Sequence, residues 1–189
     1  MVGRDARRRA IEAFRYDLQL PDRVTASEFL PLAFFEPTGG IEEGDATRQL
    51  ESILRAAGRN AYWFVPIAAI EASKANEEAI LIPEDVTLAQ AFNALDALSG
   101  RGFDSGSELA RYGFVDPDAG WSIYVDRCSL AVVSVTATLA RSLVWGANRR
   151  LLRVGSLGTA KDVLANPGVQ ADLAHCWDHW EHRFLAAYA

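Results

Sequence analysis

Residues 121–136, WSIYVDRCSLAVVSVT, carry the clearest strand pattern of the chain and decide its fold class. Trp121, Ile123 and Val125 alternate with more polar neighbours, which places the two sets on opposite faces of a strand. Leu130 to Thr136, rich in β-branched residues, follows after a tight connection. The pattern predicts a β-hairpin.

Other stretches predict further strands around this hairpin. Tyr62 to Ile70 and Ala79 to Ile82 are apolar and separated by a polar segment, which indicates a second hairpin with Pro66 at an edge or bulge. Leu32 to Glu36 and Leu151 to Val154 are candidates for shorter strands. Regular alternation of strand and helix, which would indicate a parallel sheet, is absent. The predicted class is α+β, with an antiparallel or mixed sheet of about five strands and helices packed on it.

Helices are predicted where apolar residues recur at three- and four-residue spacing. The longer ones are Arg4 to Leu18, Ala46 to Ala57, Leu88 to Leu98 and a long C-terminal helix from Asn166 to Ala189. Thr87 and Gln90 have the spacing of a capping box at the start of the third. Shorter helices are predicted after Thr25, from Ser107 to Tyr112 and from Thr159 to Ala165, while Thr138 to Trp145 fits either a strand or a helix.

Composition and charge restrict the class of protein. The 189 residues, half of them hydrophobic, are expected to form one globular domain over residues 1–189 that folds without disulfides or metal. A formal charge of −6 predicts no general attraction to nucleic acid or to an anionic membrane. The sequence has no pattern of a secretory signal or of a membrane-spanning helix. With two cysteines, the expected compartment is the reducing cytoplasm.

The C-terminal stretch carries the densest potential chemistry, because it contains all three histidines, His175, His179 and His182. On one continuous helix they share an arc of roughly 60°, about 150° from the centre of the apolar face that contains Trp180. Imidazoles at this spacing can supply ligands for Zn²⁺, so these three are the candidate metal ligands. The alternative is a solvated polar face, since three side chains of one straight helix do not easily surround an ion.

Four other features have weaker patterns. Cys176 is expected to be a buried, inert thiol. Val154 to Lys161 has a strand, turn and helix start that would suit an anion, but it matches neither glycine-rich phosphate motif. Asp116 to Gly120 lacks the ligand pattern of a calcium loop and is predicted to be a turn. The arginines of residues 4–9 are interpreted as a solvated helix face.

Two functions of different classes remain open. The first is a non-catalytic binding or inhibitor protein of the immunity type, which acts by protein–protein contact and covers a basic partner. The second is a metal-binding protein or metal-dependent hydrolase that uses the three histidines. A small-molecule site between the sheet and the helices is a third alternative. The sequence decides neither whether the chain is an enzyme nor its oligomeric state.

Overall fold

An antiparallel sheet of six strands lies at the centre of the computed structural model. The structure describes residues 3–36, 47–48, 50–52, 61–73, 79–99, 110–118, 120–126, 130–142 and 159–188. Within them the strands are β1 (Phe29–Phe35), β2 (Tyr62–Val65), β3 (Ile80–Ile82), β4 (Arg111–Asp116), β5 (Trp121–Asp126) and β6 (Ala131–Thr136). Their order is β1-β6-β5-β4-β2-β3, and every neighbouring pair is antiparallel. The α+β class is confirmed, with six strands where the sequence predicts about five.

The predicted hairpin of β5 and β6 is confirmed, with Ser122 opposite Ser134 and Ile123 opposite Val133. The additional strand is β4, whose first two residues fall within the helix that the sequence predicts from Ser107 to Tyr112. Residues 107–109 lie outside the described part, whereas Arg111–Asp116 is extended and paired with both β2 and β5. Pairing on both sides, together with two aromatic residues and a valine, favours the strand.

The second predicted hairpin is correct for β2 and β3 but wrong for residues 67–70. Ile67–Ser73 forms helix α2. Pro66 stands at the change, and its carbonyl accepts the N–H of Ile70 at 3.0 Å. A proline cannot donate to a ladder, and its fixed φ suits the start of a helix. Pro66 therefore ends the strand.

The other helices are α1 (Gly3–Glu12), α3 (Leu88–Ser99), α4 (Ala137–Ser142), α5 (Ala160–Leu164), α6 (Pro167–Cys176) and α7 (Trp180–Tyr188). Residues 47–48 and 50–52, within the predicted second helix, are also helical. The capping box of α3 is present: the Thr87 N–H donates to Gln90 Oε1 at 2.8 Å, and the Gln90 N–H donates to Thr87 Oγ1 at 3.1 Å. The ambiguous segment after β6 is helical over α4, and the predicted strand at residues 151–154 lies outside the described residues. No helix in the described ranges has the length and apolar character to cross a bilayer.

Helix α1 ends at Glu12, six residues before the predicted end at Leu18. Phe14 instead forms a β-bridge with Thr25, flanked by hydrogen bonds from the Arg15 N–H to the Val24 carbonyl at 2.8 Å and from the Ala26 N–H to the Ala13 carbonyl at 2.9 Å. The same bridge replaces the short helix predicted after Thr25. Phe14 is 3% exposed, so burial of its ring stabilises the bridge over a further helical turn.

Both faces of the sheet are buried at β4, β5 and β6. Trp121, Ile123 and Val125 of β5 lie in one hydrophobic cluster together with residues of α3, and Tyr124 lies in a second cluster with residues of α1, α5, α6 and α7. Gly113 of β4 belongs to the second face, and a side chain there would meet the ring of Phe14. The absence of a Cβ at Gly113 therefore lets the end of α1 lie against the sheet.

The predicted long C-terminal helix is two helices. α6 begins at Pro167 and is capped by Asn166, whose side chain accepts the N–H groups of Gly168 and Val169. It ends at Cys176, because Trp177 is extended, and α7 begins at Trp180. Contacts at the far end of α7 hold this geometry: Arg183 makes two hydrogen bonds to Asp22, at 3.0 and 2.6 Å, and Tyr188 Oη donates to the Asp22 carbonyl at 2.8 Å. These tertiary contacts outweigh the local preference for one helix.

Candidate functional site

The three candidate metal ligands are all exposed, but they belong to different elements. His175 lies in the last turn of α6, His179 in the connection and His182 in the first turn of α7. His179 has a φ of 52°, in the left-handed region that non-glycine residues adopt uncommonly. Because the helix is broken between His175 and His182, the arc derived for one continuous helix does not apply, and that part of the prediction is wrong.

Two of the histidines share a surface depression of about 300 Å³. His179 and His182 line it together with Trp180 and Glu181, and His175 is not among its lining residues. Within the described ranges, no group of three or more His, Cys, Asp or Glu side chains is placed to hold a metal ion. The depression is therefore lined by two histidines and one glutamate whose side chains do not form a three-ligand cluster.

Cys176 is exposed, which corrects the prediction of a buried thiol. It is the last residue of α6, and the chain leaves the helix at Trp177, whose N–H donates to the Leu173 carbonyl at 2.9 Å. The apolar face of α6 is provided instead by Val169 and Leu173, which are buried. The angular position calculated for Cys176 on an ideal continuous helix is therefore wrong, because Cys176 lies where the helix ends.

The turn predicted from Asp116 to Gly120 is confirmed. The Asp118 N–H donates to Asp116 Oδ1 at 3.1 Å, and the Gly120 N–H donates to the Asp116 carbonyl at 2.8 Å. Gly120 has a φ of 79°, which an L side chain rarely adopts. The Asp116 carboxylate thus stabilises the turn by accepting a backbone hydrogen bond within it.

Carboxylates also neighbour the basic N-terminal segment and the start of α5. Two arginines of residues 4–9 form ion pairs, Arg8 with Glu12 at 3.6 Å and Arg9 with Asp118 at 2.7 Å, and Arg15, after α1, pairs with Asp17 at 3.4 Å. At α5 the Asp162 carboxylate accepts both the N–H and the hydroxyl of Thr159, each at 2.8 Å. Residues 154–158 of the phosphate-loop candidate lie outside the described residues. The described part of that candidate presents a carboxylate where a phosphate would bind.

Sequence patterns do not single out a polar cluster on the second face of the sheet, formed by Glu71, Arg111, Tyr124 and Asp126. Arg111 lies opposite Asp126 in the register of β4 and β5, and its guanidinium forms an ion pair with Glu71 of α2. Burial raises the pKa of Tyr124, Asp126 raises it further, and Arg111 opposes both. Burial lowers the pKa of Arg111, but Tyr124 and Glu71 outweigh this effect and leave it raised. The ion pair between Arg111 and Glu71 therefore attaches α2 to the sheet, beside a buried phenol that keeps its proton.

The two edges of the sheet differ in how they are protected. β1 contains Pro31, which has no N–H, and its pairing with β6 is irregular between Pro31 and Ala33. A proline and a bulge both hinder the addition of another strand. β3 contains neither feature, and among the described strands it pairs only with β2. The β1 edge thus contains a proline and a bulge, whereas the β3 edge strand contains neither.

The edge strand β3 also exposes apolar side chains. Ile80 and Leu81 are each 53% exposed, while Ile82 is partly buried against the first hydrophobic cluster. Successive side chains of a strand point to opposite faces, so apolar surface is exposed on both faces of the sheet at this edge. We call Ile80, Leu81 and Ile82 with their outward backbone groups the β3 edge. The sequence predicts this strand, but its position at an edge follows from a strand order that the sequence did not provide.

No protein-family model, curated protein or solved structure matches this chain.

Proposed function

We propose that the chain is a non-catalytic binding protein that acts by protein–protein contact through the β3 edge. The observation that carries the proposal is the exposure of both Ile80 and Leu81 on an edge strand. An edge with unpaired backbone groups is a template for pairing with another chain, and proteins usually protect such edges. Here the proline and the bulge lie on β1, at the opposite edge.

The occupant is an extended segment of a partner protein that adds a strand beside β3. In this mode of recognition the main-chain hydrogen bonds supply affinity, and alternate side chains supply specificity. Complete burial of one Ile or Leu side chain stabilises by about 1.5–3 kcal/mol. Because Ile80 and Leu81 are each about half exposed, the two together would contribute an amount of about 2–3 kcal/mol.

Charge and the exposed thiol support the rest of the proposal. A net charge of −6 and the ion pairing of Arg8, Arg9 and Arg15 favour a protein partner over nucleic acid or an anionic membrane. The exposed thiol of Cys176 fits a reducing compartment such as the cytoplasm.

A peptide titration tests the mode of binding. The probe is a capped peptide of about ten residues, with lysines at both ends and valine alternating with threonine between them. Binding should shift the amide resonances of Ile80 to Ile82 in NMR spectra and slow their hydrogen exchange. The same peptide with every backbone nitrogen of its valine–threonine core methylated has no N–H to donate from either edge, so it cannot pair as a strand and should not bind. Equal binding of both peptides, or shifts confined to other elements, would contradict strand addition at β3.

Matched variants test the position of the surface. Ile80→Thr combined with Leu81→Thr removes apolar area while keeping charge and strand preference, so the peptide should bind more weakly. The control is Leu30→Thr on β1, since Leu30 is 41% exposed on the opposite edge. An equal loss of affinity from the control would place the binding surface elsewhere.

Metal binding is the second candidate function, supported by the shared depression of His179 and His182. Zn²⁺ prefers four ligands, so a zinc ion on these two imidazoles would take the others from water, Glu181 or another molecule. Open coordination positions of this kind are what a metal-dependent hydrolase uses. Elemental analysis and thermal shift with Zn²⁺, on protein purified without a histidine tag, test the proposal. His179→Ala combined with His182→Ala should abolish the effect and His175→Ala should not, whereas less than about a tenth of an equivalent of metal with no thermal shift would rule it out.

A further inference from the structure

We infer that the segment bound at the β3 edge is basic on both sides of its apolar centre, and that a second copy of this chain is disfavoured there. The inference rests on the proposed function, because it names the partner chemistry of the same surface. A free edge strand with exposed apolar residues could in principle pair with itself or with a foreign strand. The charge around β3 distinguishes the two occupants.

Acidic residues flank β3 on both sides in sequence. The 26 residues between Lys74 and Arg101 contain no basic side chain and five acidic ones: Glu77, Glu78, Glu84, Asp85 and Asp96. Glu84 and Asp85 are exposed, in a turn closed by the hydrogen bond from the Val86 N–H to the Pro83 carbonyl at 3.1 Å. The three residues of β3 itself carry no charge. The β3 edge is therefore apolar, with two exposed acidic residues after it and two acidic residues shortly before it in the sequence.

Self-pairing would bring like charges together in either direction. In an antiparallel pair, residues that follow β3 in one copy approach residues that precede it in the other, and both sets are acidic. In a parallel pair Glu84 and Asp85 approach their own counterparts. Like charges directly opposite each other on paired strands are destabilising. A segment with lysine or arginine at its ends reverses the sign of these interactions and speeds association.

Three peptides with one common valine–threonine core test the charge of the partner. Their ends carry lysine, glutamine or glutamate, and binding is measured from the amide resonances of Ile80 to Ile82. At an ionic strength of about 0.01 M the lysine peptide should bind about tenfold or more tightly than the glutamate peptide, and the ratio should shrink at about 0.15 M. Equal affinities would overturn the basic partner and leave strand addition standing. Absence of binding by all three would overturn the proposed function itself.

Two further measurements complete the test. Glu84→Gln combined with Asp85→Asn should lower the preference for the lysine peptide about threefold or more, while Glu28→Gln combined with Asp172→Asn, at exposed positions before β1 and on α6, should leave it unchanged. Equal effects of the two pairs would overturn the inference, since they would indicate net charge rather than charge at β3. Light scattering of the native chain should show no dimer that depends on the β3 edge. A dimer abolished by Ile80→Thr with Leu81→Thr would assign the edge to a second copy.

Discussion

Replacing Gly113 by alanine tests the position of Phe14 on the sheet. A Cβ at Gly113 would lie 2.7 and 2.8 Å from the two Cε atoms of the Phe14 ring, and closer still to Cζ. The ring cannot move freely, because Phe14 is 3% exposed and its centroid lies 6.3 Å from that of Tyr124. Overpacking of a core costs about 1–3 kcal/mol, and alanine gains about 0.5–1 kcal/mol over glycine in a strand. The expected net loss in the free energy of unfolding is about 1–2 kcal/mol, or about 2–8 °C in Tm.

The same substitution should have the opposite sign when the ring is absent. Phe14→Ala alone should cost about 3–5 kcal/mol. In that background Gly113→Ala should stabilise by about 0.5–1 kcal/mol, since the clash is gone and the strand preference remains. Urea denaturation of the four proteins gives the coupling energy, and Phe14→Leu serves if the alanine variant does not fold.

Gly168→Ala is the control, because a Cβ there has no contact closer than 3.4 Å, to Asn166 Oδ1. It should leave stability unchanged or raise it. If Gly113→Ala costs the same with and without the Phe14 ring, Phe14 does not lie over Gly113 and the placement of the α1 end is wrong.

Three further predictions concern the C-terminal helices and the buried phenols. In urea denaturation Trp180→Ala should cost about 3–5 kcal/mol, because Trp180 is 4% exposed, and His182→Ala less than about 0.5 kcal/mol, because His182 is exposed to solvent. Similar losses from the two variants would mean that the surface around His182 is packed against other residues. Tyr188→Phe should cost about 1–3 kcal/mol in free energy of unfolding, because its hydroxyl donates to the Asp22 carbonyl and accepts the buried Val24 N–H. Arg183→Ala should cost about 1 kcal/mol or less, because that ion pair is exposed. A larger loss from Arg183→Ala than from Tyr188→Phe would contradict these contacts. Burial raises the pKa of Tyr124 and Tyr188, so their contribution to stability is complete below about pH 10 and falls above it by up to about 1.4 kcal/mol per pH unit for each phenol. Tyr124→Phe should therefore reduce the loss of stability that urea denaturation measures between about pH 9 and 12. An unchanged slope of stability against pH would contradict the burial of that hydroxyl.

Local signals in the sequence were sufficient where residues near in sequence stabilise the element. Thr87 and Gln90 satisfy each other's N–H groups, so α3 begins where its capping box indicates. The alternation of β5 correctly assigns Trp121 and Tyr124 to opposite faces. Both faces are buried, however, and alternation alone does not indicate a second layer of helices.

The errors arose where contacts distant in sequence decide the structure. The bridge between Phe14 and Thr25 shortens α1, and the contacts of α7 with Asp22 accompany a helix break that contains neither glycine nor proline. The β3 edge has the same origin, since the exposure of Ile80 depends on which strands neighbour β3. The residue types of the sequence identify the three histidines as candidate ligands, but they do not indicate that the histidines are divided between α6, the connection and α7.

The pairing of β1 with β6 has a consequence for how the chain acquires its fold. Phe29 lies opposite Thr136, 107 positions later in the chain. At a synthesis rate of about 5–20 residues per second, β1 waits about 5–20 s on the ribosome before its partner strand emerges. During that interval the apolar run FLPLAFF at residues 29–35 is a potential starting point for aggregation. Pro31 interrupts this run, so the residue that guards the edge of the finished sheet also acts as a gatekeeper for the nascent chain.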